Sequence, residues 1–197
     1  MEPYPDWLNA TLASDAAEGR GVLPPFIRPL QSGTTVVGPA HVVTASQDDN
    51  QAVVQAAAGP PPAGCILVVG GQSTSRTATI GDLMALELQN LGVVALITDG
   101  LVRDAQELRK LSFPVWSRGT TPTSSYKRGP GTVGGAVVLG GVTVHDGDIV
   151  IADDDGVVVW PADSTEQLLT RAQAKLDADN VRLDRLRQAR VEKTNPA

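Results

Sequence analysis

Asp82, Arg103 and Asp104 are the side chains whose types and spacing could do chemistry. Asp82 follows Gly81 at the start of a helix-forming run. The Arg-Asp pair follows the short apolar segment Val93 to Thr98. Enzymes built on parallel sheets place functional groups at strand ends and helix starts of this kind, where side chains from successive units converge. The unpaired N–H groups of a helix start, here around Gly81, Asp82 and Leu83, can also bind a carboxylate. A hard divalent cation needs one or two carboxylates and otherwise keeps water, so Asp104 could be such a ligand. Glu107, three residues on, could hydrogen-bond the ion's waters or point into solvent. Taken alone, the same residues also suit a capped helix and a surface ion pair.

The elements that must position these groups are legible around them. Two buried strand candidates, Cys65 to Val69 and Val93 to Thr98, flank a helix candidate from Thr79 to Asn90, which makes a βαβ unit. Gly92 suits the left-handed C-terminal cap of that helix. A second helix, Asp104 to Leu111, leads into a third strand at Phe113 to Trp116. Before the unit, residues 1–30 form an arm with one or two short helices over 6–20. Thr34 to Ala45 reads as a strand interrupted at Gly38-Pro39, and Asn50 to Ala58 as a short helix. After it come hairpins at Ala136 to Leu139, Val142 to Val144, Asp148 to Ala152 and Val157 to Trp160. A long polar helix, Ser164 to Val191 within the 163–192 segment, closes the chain. A helix of that length on a small domain often packs on a neighbouring subunit.

Composition narrows the function. The 197 residues fit one domain, and 42% are apolar but only 4% aromatic, so Val, Leu, Ile and Ala must build the core. Net charge is -6 with no broad cationic face, which argues against nucleic acid as a direct ligand. No run approaches the roughly 18 apolar residues of a membrane span, and the N-terminus lacks a signal-peptide layout, so no membrane association and a cytoplasmic location are expected. Cys65 heads an apolar run and reads as a buried, inert thiol. His41 and His145 lack a nucleophile or a ligand cluster and read as structural. Asp153-Asp154-Asp155 lacks the Glu a calcium loop needs at its twelfth position, where Ser164 stands; it reads as a hairpin turn. The glycine pairs make no P-loop or dinucleotide fingerprint.

Three segments carry a resemblance: Gly81-Asp82-Leu83-Met84-Ala85, Thr98-Asp99-Gly100-Leu101-Val102-Arg103-Asp104, and Phe113-Pro114-Val115-Trp116-Ser117-Arg118-Gly119. They resemble the 4-hydroxy-4-methyl-2-oxoglutarate aldolase family, which includes the regulator of ribonuclease activity A. The run Gly141 to Val159 is similar to that family's C-terminal hairpin block, and the similarity extends from Ser14 to Pro161. The aldolase signature is an acidic residue, twenty intervening residues, Arg-Asp, two more, then Glu or Asp. Asp82, Arg103-Asp104 and Glu107 match it in full.

The resemblance implies an α/β fold of the three-layer β/β/α swivelling-domain type, with short N-terminal helices and a long C-terminal helix. It implies assembly as a homotrimer or a dimer of trimers, a homohexamer. Asp104 would hold Mg2+ or Mn2+, Arg103 would grip the pyruvyl part of a small 2-oxo acid, and the amides of Gly81 to Met84 would receive its carboxylate. Asp82 would orient a metal-bound water, with Glu107 among the groups around the ion. The family also draws a carboxylate from a neighbouring chain's C-terminal helix; here Asp179 is the nearest, one methylene shorter than Glu. The implied activity is a class II aldolase, a carbon–carbon lyase. It would cleave 4-hydroxy-4-methyl-2-oxoglutarate, or a related 4-carboxy-4-hydroxy-2-oxo acid, to pyruvate, with oxaloacetate decarboxylase side activity. The alternative from the same family is a non-catalytic, protein-binding regulator of a ribonuclease.

Overall fold

The structure is a computed structural model that describes residues 4–194. Helix α1 (Ala10–Ala16) begins where the Asn9 side chain accepts a hydrogen bond from the Leu12 N–H, so it starts later than the expected arm. After the two-residue strand β1 (Arg28–Pro29), strand β2 (Val36–Ala45) runs unbroken through Gly38-Pro39. This corrects the expected interruption. Pro39 lacks an N–H, and it sits where β2 exchanges one partner for another along its length.

Three strand–helix units follow. Helix α2 (Gln51–Ala58) leads to β3 (Ile66–Gly70), helix α3 (Asp82–Asn90) to β4 (Ala95–Thr98), and, after β5 (Leu101–Val102), helix α4 (Ala105–Lys110) to β6 (Val115–Ser117). β2, β3, β4 and β6 are parallel neighbours, with β1 antiparallel at the β6 edge. Helix α3 starts three residues later than its pattern suggests, because Ala78 to Ile80 is taken up in backbone pairing with the 101–103 segment. Thr79 N–H donates to the Leu101 carbonyl at 2.7 Å, and Arg103 N–H to that of Ile80 at 3.0 Å. The end of α3 meets expectation. Gly92 adopts φ 89°, Val93 N–H donates to Leu88 O, and Gly92 N–H to Gln89 O, a Schellman closure.

Beyond the short strands β7 (Gly119–Thr120) and β8 (Gly131–Val133), the chain makes two hairpins. These are β9 (Ala136–Leu139) with β10 (Val142–His145), and β11 (Ile149–Asp153) with β12 (Gly156–Trp160). β11 adds antiparallel to β2 and extends the main sheet. The Asp153–Asp155 triplet is the turn between β11 and β12, as expected. Helix α5 (Thr165–Thr194) closes the chain.

Alternation along the strands divides the core into layers. Val43, Leu67, Val69 and Leu96 face α2, α3 and α4. Val42, Ile66, Val68, Ile97 and Trp116 face the two hairpins, meeting Val137, Leu139, Val150 and Val159. On the outer face of the second hairpin, Ile149, Ile151, Val158 and Trp160 pack beneath α1 and the first turns of α5. The result is the β/β/α layering expected. Each such aliphatic side chain stabilises by about 1.5–3 kcal/mol on full burial, which compensates for the scarcity of aromatics. On α5, Leu168 and Ala172 are buried, whereas Val181, Leu183 and Leu186 are exposed. Among the described residues no helix is long and apolar enough to cross a membrane.

Because Gly92 holds a left-handed conformation that L side chains adopt at a cost, Gly92→Ala is expected to destabilise the fold by about 1–2 kcal/mol. A lowered urea midpoint with an unchanged slope would register this; an unchanged midpoint would remove Gly92 as the device that stops α3.

Candidate active site

The candidate residues meet at the carboxyl ends of β3 and β4. After β3 the chain makes a long excursion and returns at Ala78, which bridges Leu101 on one side and Ser124 on the other. This three-ply backbone brings Gly81 against Arg103 and Asp104. A methyl group on Gly81 would overlap Asp104 Oδ2 and lie 2.8 Å from Arg103 Nε. Gly81 has extended backbone (φ -125°), so what requires glycine here is close approach rather than conformation.

Asp104 occupies the N-cap position of α4 but does not cap it. Its backbone is left-handed, at φ 57° and ψ 40°, a conformation costing about 1–3 kcal/mol for most residues and tolerated best by Asn and Asp. That turn leaves its carboxylate outside the helix, 3.3 Å from Arg103 Nε. Both side chains are more than a third exposed, so the pair itself contributes at most about 1 kcal/mol. The Arg103 terminal nitrogens have no partner among the described residues, which leaves the guanidinium fork open to a carboxylate.

Gly81 is also the N-cap of α3, with no side-chain cap. Asp82 Oδ1 accepts from the Leu83 N–H at 2.8 Å, so of the amides expected to receive a carboxylate, that of Leu83 is engaged. Those of Asp82 and Met84 have no acceptor among the described residues. A cleft of about 220 Å³ runs along this helix start, lined by Gly81, Asp82, Leu83, Met84 and Arg103. Glu107 turns instead to Lys110 Nζ at 2.7 Å. Asp179 pairs with Lys175 on α5, which packs against α1 and takes no part in lining this cleft.

The far wall of the cleft was not anticipated from sequence. Asn50, Ser124, Ser125 and Lys127 line it. The last three belong to a polar strap between β7 and β8, fastened at several points. Ala78 N–H donates to Thr123 O, Ser125 Oγ to Ala78 O, Tyr126 N–H to Asp48 O, and Asn50 N–H to Tyr126 O. Asp49, 6% exposed, is a further clamp: its Oδ2 accepts from the Arg128 and Gly129 amides at 2.8 and 2.9 Å, and its Oδ1 from that of Gln51. Burial alone would raise the Asp49 carboxyl, but these backbone donors and the nearby Arg128 charge outweigh it and hold it below its ordinary value. The available signal was a structureless polar segment too long for a simple connection.

Other expectations resolve simply. Cys65 is buried and its thiol is pushed up to about 11, chiefly by burial, which makes it a poor nucleophile. His41 pairs with Asp146 and His145 with Asp148. Arg118 donates to the Ser75 carbonyl, and Asp99, raised mainly by burial, accepts from the Gln72 amide behind the site. A wider cleft, about 620 Å³, opens between β10, the end of β12 and the start of α5, and none of the expected site residues lines it.

Comparison with known proteins places the chain in a family. The family profile described as RraA-like, Aldolase/RraA, matches residues 10–159. The chain belongs to the RraA-like family. It is 35% identical over 176 residues to a Halalkalibacterium halodurans protein provisionally named 4-hydroxy-4-methyl-2-oxoglutarate aldolase, covering 89% of this chain and 83% of that one. Streptomyces coelicolor RraAS2, described as an unusual member of the RNase ES inhibitor RraA family, superposes with a TM-score of 0.80 at 26% identity. That match covers 90% of this chain and 93% of RraAS2. A Geobacillus kaustophilus structure described as an S-adenosylmethionine:2-dimethylmenaquinone methyltransferase gives 0.71 at 29% identity, over 78% and 95%. The family and fold are therefore secure, while the names attached to RraA-like proteins differ in activity.

Because the folded-state value of Asp49 is depressed, its stabilisation of the strap is present above the ordinary carboxylate range and is lost as pH falls through the folded value. Hydrogen-exchange protection at the Arg128 and Gly129 amides is expected to drop as pH falls below the ordinary carboxylate range, before global unfolding. Protection that persists until the whole chain unfolds would exclude Asp49 as a clamp.

Proposed function

We propose that this RraA-like protein is a divalent-metal-dependent class II aldolase that cleaves 4-hydroxy-4-methyl-2-oxoglutarate or a related 4-carboxy-4-hydroxy-2-oxo acid to pyruvate, with oxaloacetate decarboxylation as a second activity. The observation that carries this reading is the Asp104 carboxylate, held out of the capping role its position invites, beside an open Arg103 fork and a bare helix start. Identity to the Halalkalibacterium protein supports the same reaction class.

The donor set suits a hard ion. Among the described residues no three His, Cys, Asp or Glu side chains cluster to form a closed site. One exposed carboxylate with open space beside it is what Mg2+ or Mn2+, which keep most of their water, require. Bound at Asp104, such an ion would supply Lewis-acid stabilisation of the enolate charge. Arg103 would hold the 2-oxo acid's carboxylate and oxo oxygens through charge-assisted donors fixed before the charge develops. The unpaired Asp82 and Met84 amides would add to that hold at the positive end of α3. Asp82, whose second carboxylate oxygen has no partner among the described residues, would take the 4-hydroxyl proton through a water. Loss of that proton lets the C3–C4 bond break toward C3, giving the pyruvate enolate. Oxaloacetate reaches the same enolate by losing carbon dioxide.

Assembly as a trimer or dimer of trimers belongs to this proposal, with Asp179 entering a neighbour's site. The exposed Val181, Leu183 and Leu186 on α5 are compatible with such packing. A non-catalytic ribonuclease regulator is the second reading, favoured by the likeness to RraAS2.

Pyruvate release from oxaloacetate and from 4-hydroxy-4-methyl-2-oxoglutarate, coupled to lactate dehydrogenase with and without Mg2+, tests the proposal. We expect metal-dependent release that a chelator suppresses, is abolished in Asp104→Ala and falls by about 10²-fold or more in Arg103→Ala with assembly intact. Gly81→Ala should also lose most activity, because the atoms nearest its methyl belong to the Asp104 and Arg103 side chains. No release by the wild type, or full activity in the Asp104 and Arg103 variants, would overturn it; co-purification with a ribonuclease would then favour the regulator.

A further inference from the structure

Asn50 occupies the N-cap position of α2, where an Asn side chain ordinarily accepts a hydrogen bond from the helix's first amides. Here it makes no such bond. Its Nδ2 donates instead to the Thr79 carbonyl at 3.0 Å. This fixes the orientation of the amide, since the flipped form would set Oδ1 against that carbonyl oxygen. The neighbouring Asp49 supplies the local cap by accepting from Gln51 N–H. Asn50 is therefore drawn off the helix toward the segment that leads into Gly81.

The consequence is an unmet acceptor. Asn50 is 9% exposed, and its Oδ1 is buried with no hydrogen-bond partner among the described residues. Gln72 Oε1 shares that condition among the described residues, but only Asn50 lines the cleft that also holds Asp82 and Arg103. A buried acceptor left unpaired is destabilising, and a donor that reached it from the cleft would relieve that cost.

Resting on the proposed aldolase reading, we propose that Asn50 is a positioning residue for the retro-aldol step, its Oδ1 accepting a hydrogen bond from the water that stands between Asp82 and the substrate's 4-hydroxyl. The substrate's carboxylates and oxo group are acceptors and cannot satisfy Oδ1, and its one donor, the 4-hydroxyl, is committed to the water on the path to Asp82. A water can, and its two protons match the two acceptors offered, Asn50 Oδ1 and the Asp82 carboxylate. Held so, the water directs a lone pair at the 4-hydroxyl. In the step itself the hydroxyl proton passes to the water and the water's own proton passes to Asp82. C4–O becomes a carbonyl, and the C3–C4 bonding pair moves to C3 as the enolate. Return of the proton from Asp82, through the water, to C3 gives pyruvate and restores the carboxylate.

Decarboxylation of oxaloacetate forms the enolate with no hydroxyl proton to remove, and the proton that C3 takes once carbon dioxide has left comes from solvent. A residue that positions the proton-accepting water therefore matters to forming the enolate by one reaction and not by the other. A residue with a merely structural role would affect both.

The test is the ratio of the two activities in Asn50→Ala and in Asn50→Ser, the latter retaining a residue favoured at helix starts should alanine fail to fold. We expect kcat for 4-hydroxy-4-methyl-2-oxoglutarate cleavage to fall by about tenfold or more. Oxaloacetate consumption, which reads enolate formation rather than its later protonation, should stay within about twofold, as should the affinity for pyruvate measured by calorimetry with Mg2+. Parallel loss of both activities, or no change in either, in variants of a wild type active on both substrates, overturns this inference alone. A wild type inactive on both overturns the aldolase reading and this inference with it.

Discussion

The site depends on one close approach, that of Arg103 and Asp104 to the bare Cα of Gly81. Two chain segments are brought there by backbone pairing rather than by side chains: Thr79 N–H to Leu101 O and Arg103 N–H to Ile80 O. Backbone hydrogen bonds have narrow geometry, so they fix the register of the two segments to one residue. Register decides which side chains meet there. A slip by one position would carry Asp104 away from the start of α3 and put Val102, which is buried, in place of Arg103.

Around that contact the fold supplies a rigid floor and a fastened wall. The floor is the parallel sheet, whose strands β3 and β4 are buried on both faces and cannot shift without disturbing two core layers. The wall is the strap between β7 and β8, which has few apolar anchors and is held by hydrogen bonds, those accepted by Asp49 among them. Such a division lets the residues closest to the chemistry stay fixed while the opposing polar wall is tied by interactions individually worth about 1 kcal/mol.

Sequence made part of this legible. The βαβ unit, the Gly92 stop and the hairpins follow from apolar runs and turn residues, because those signals are local. The Asp82, Arg103 and Asp104 spacing was visible, and its resemblance to an aldolase family agrees with the RraA-like match. What stayed hidden was non-local. Ala78 to Ile80 has no mark distinguishing a helix start from a segment paired with residues more than twenty positions away. Asn50 stands in sequence as the first residue of a short helix, and only the carbonyl of Thr79, placed by the tertiary fold, shows why it does not cap. The Gly-Pro in β2 misled because proline argues against a central strand unless the strand changes partners there.

The central claim is that a divalent ion and a 2-oxo acid meet between Asp104, Arg103 and the start of α3. Anomalous diffraction from crystals grown with Mn2+ and pyruvate tests it most directly. The account predicts a manganese peak within coordination distance of the Asp104 carboxylate, with pyruvate between the ion and the Arg103 guanidinium. Ordered manganese and pyruvate elsewhere, in the wider cleft between β10 and α5 for instance, would contradict it.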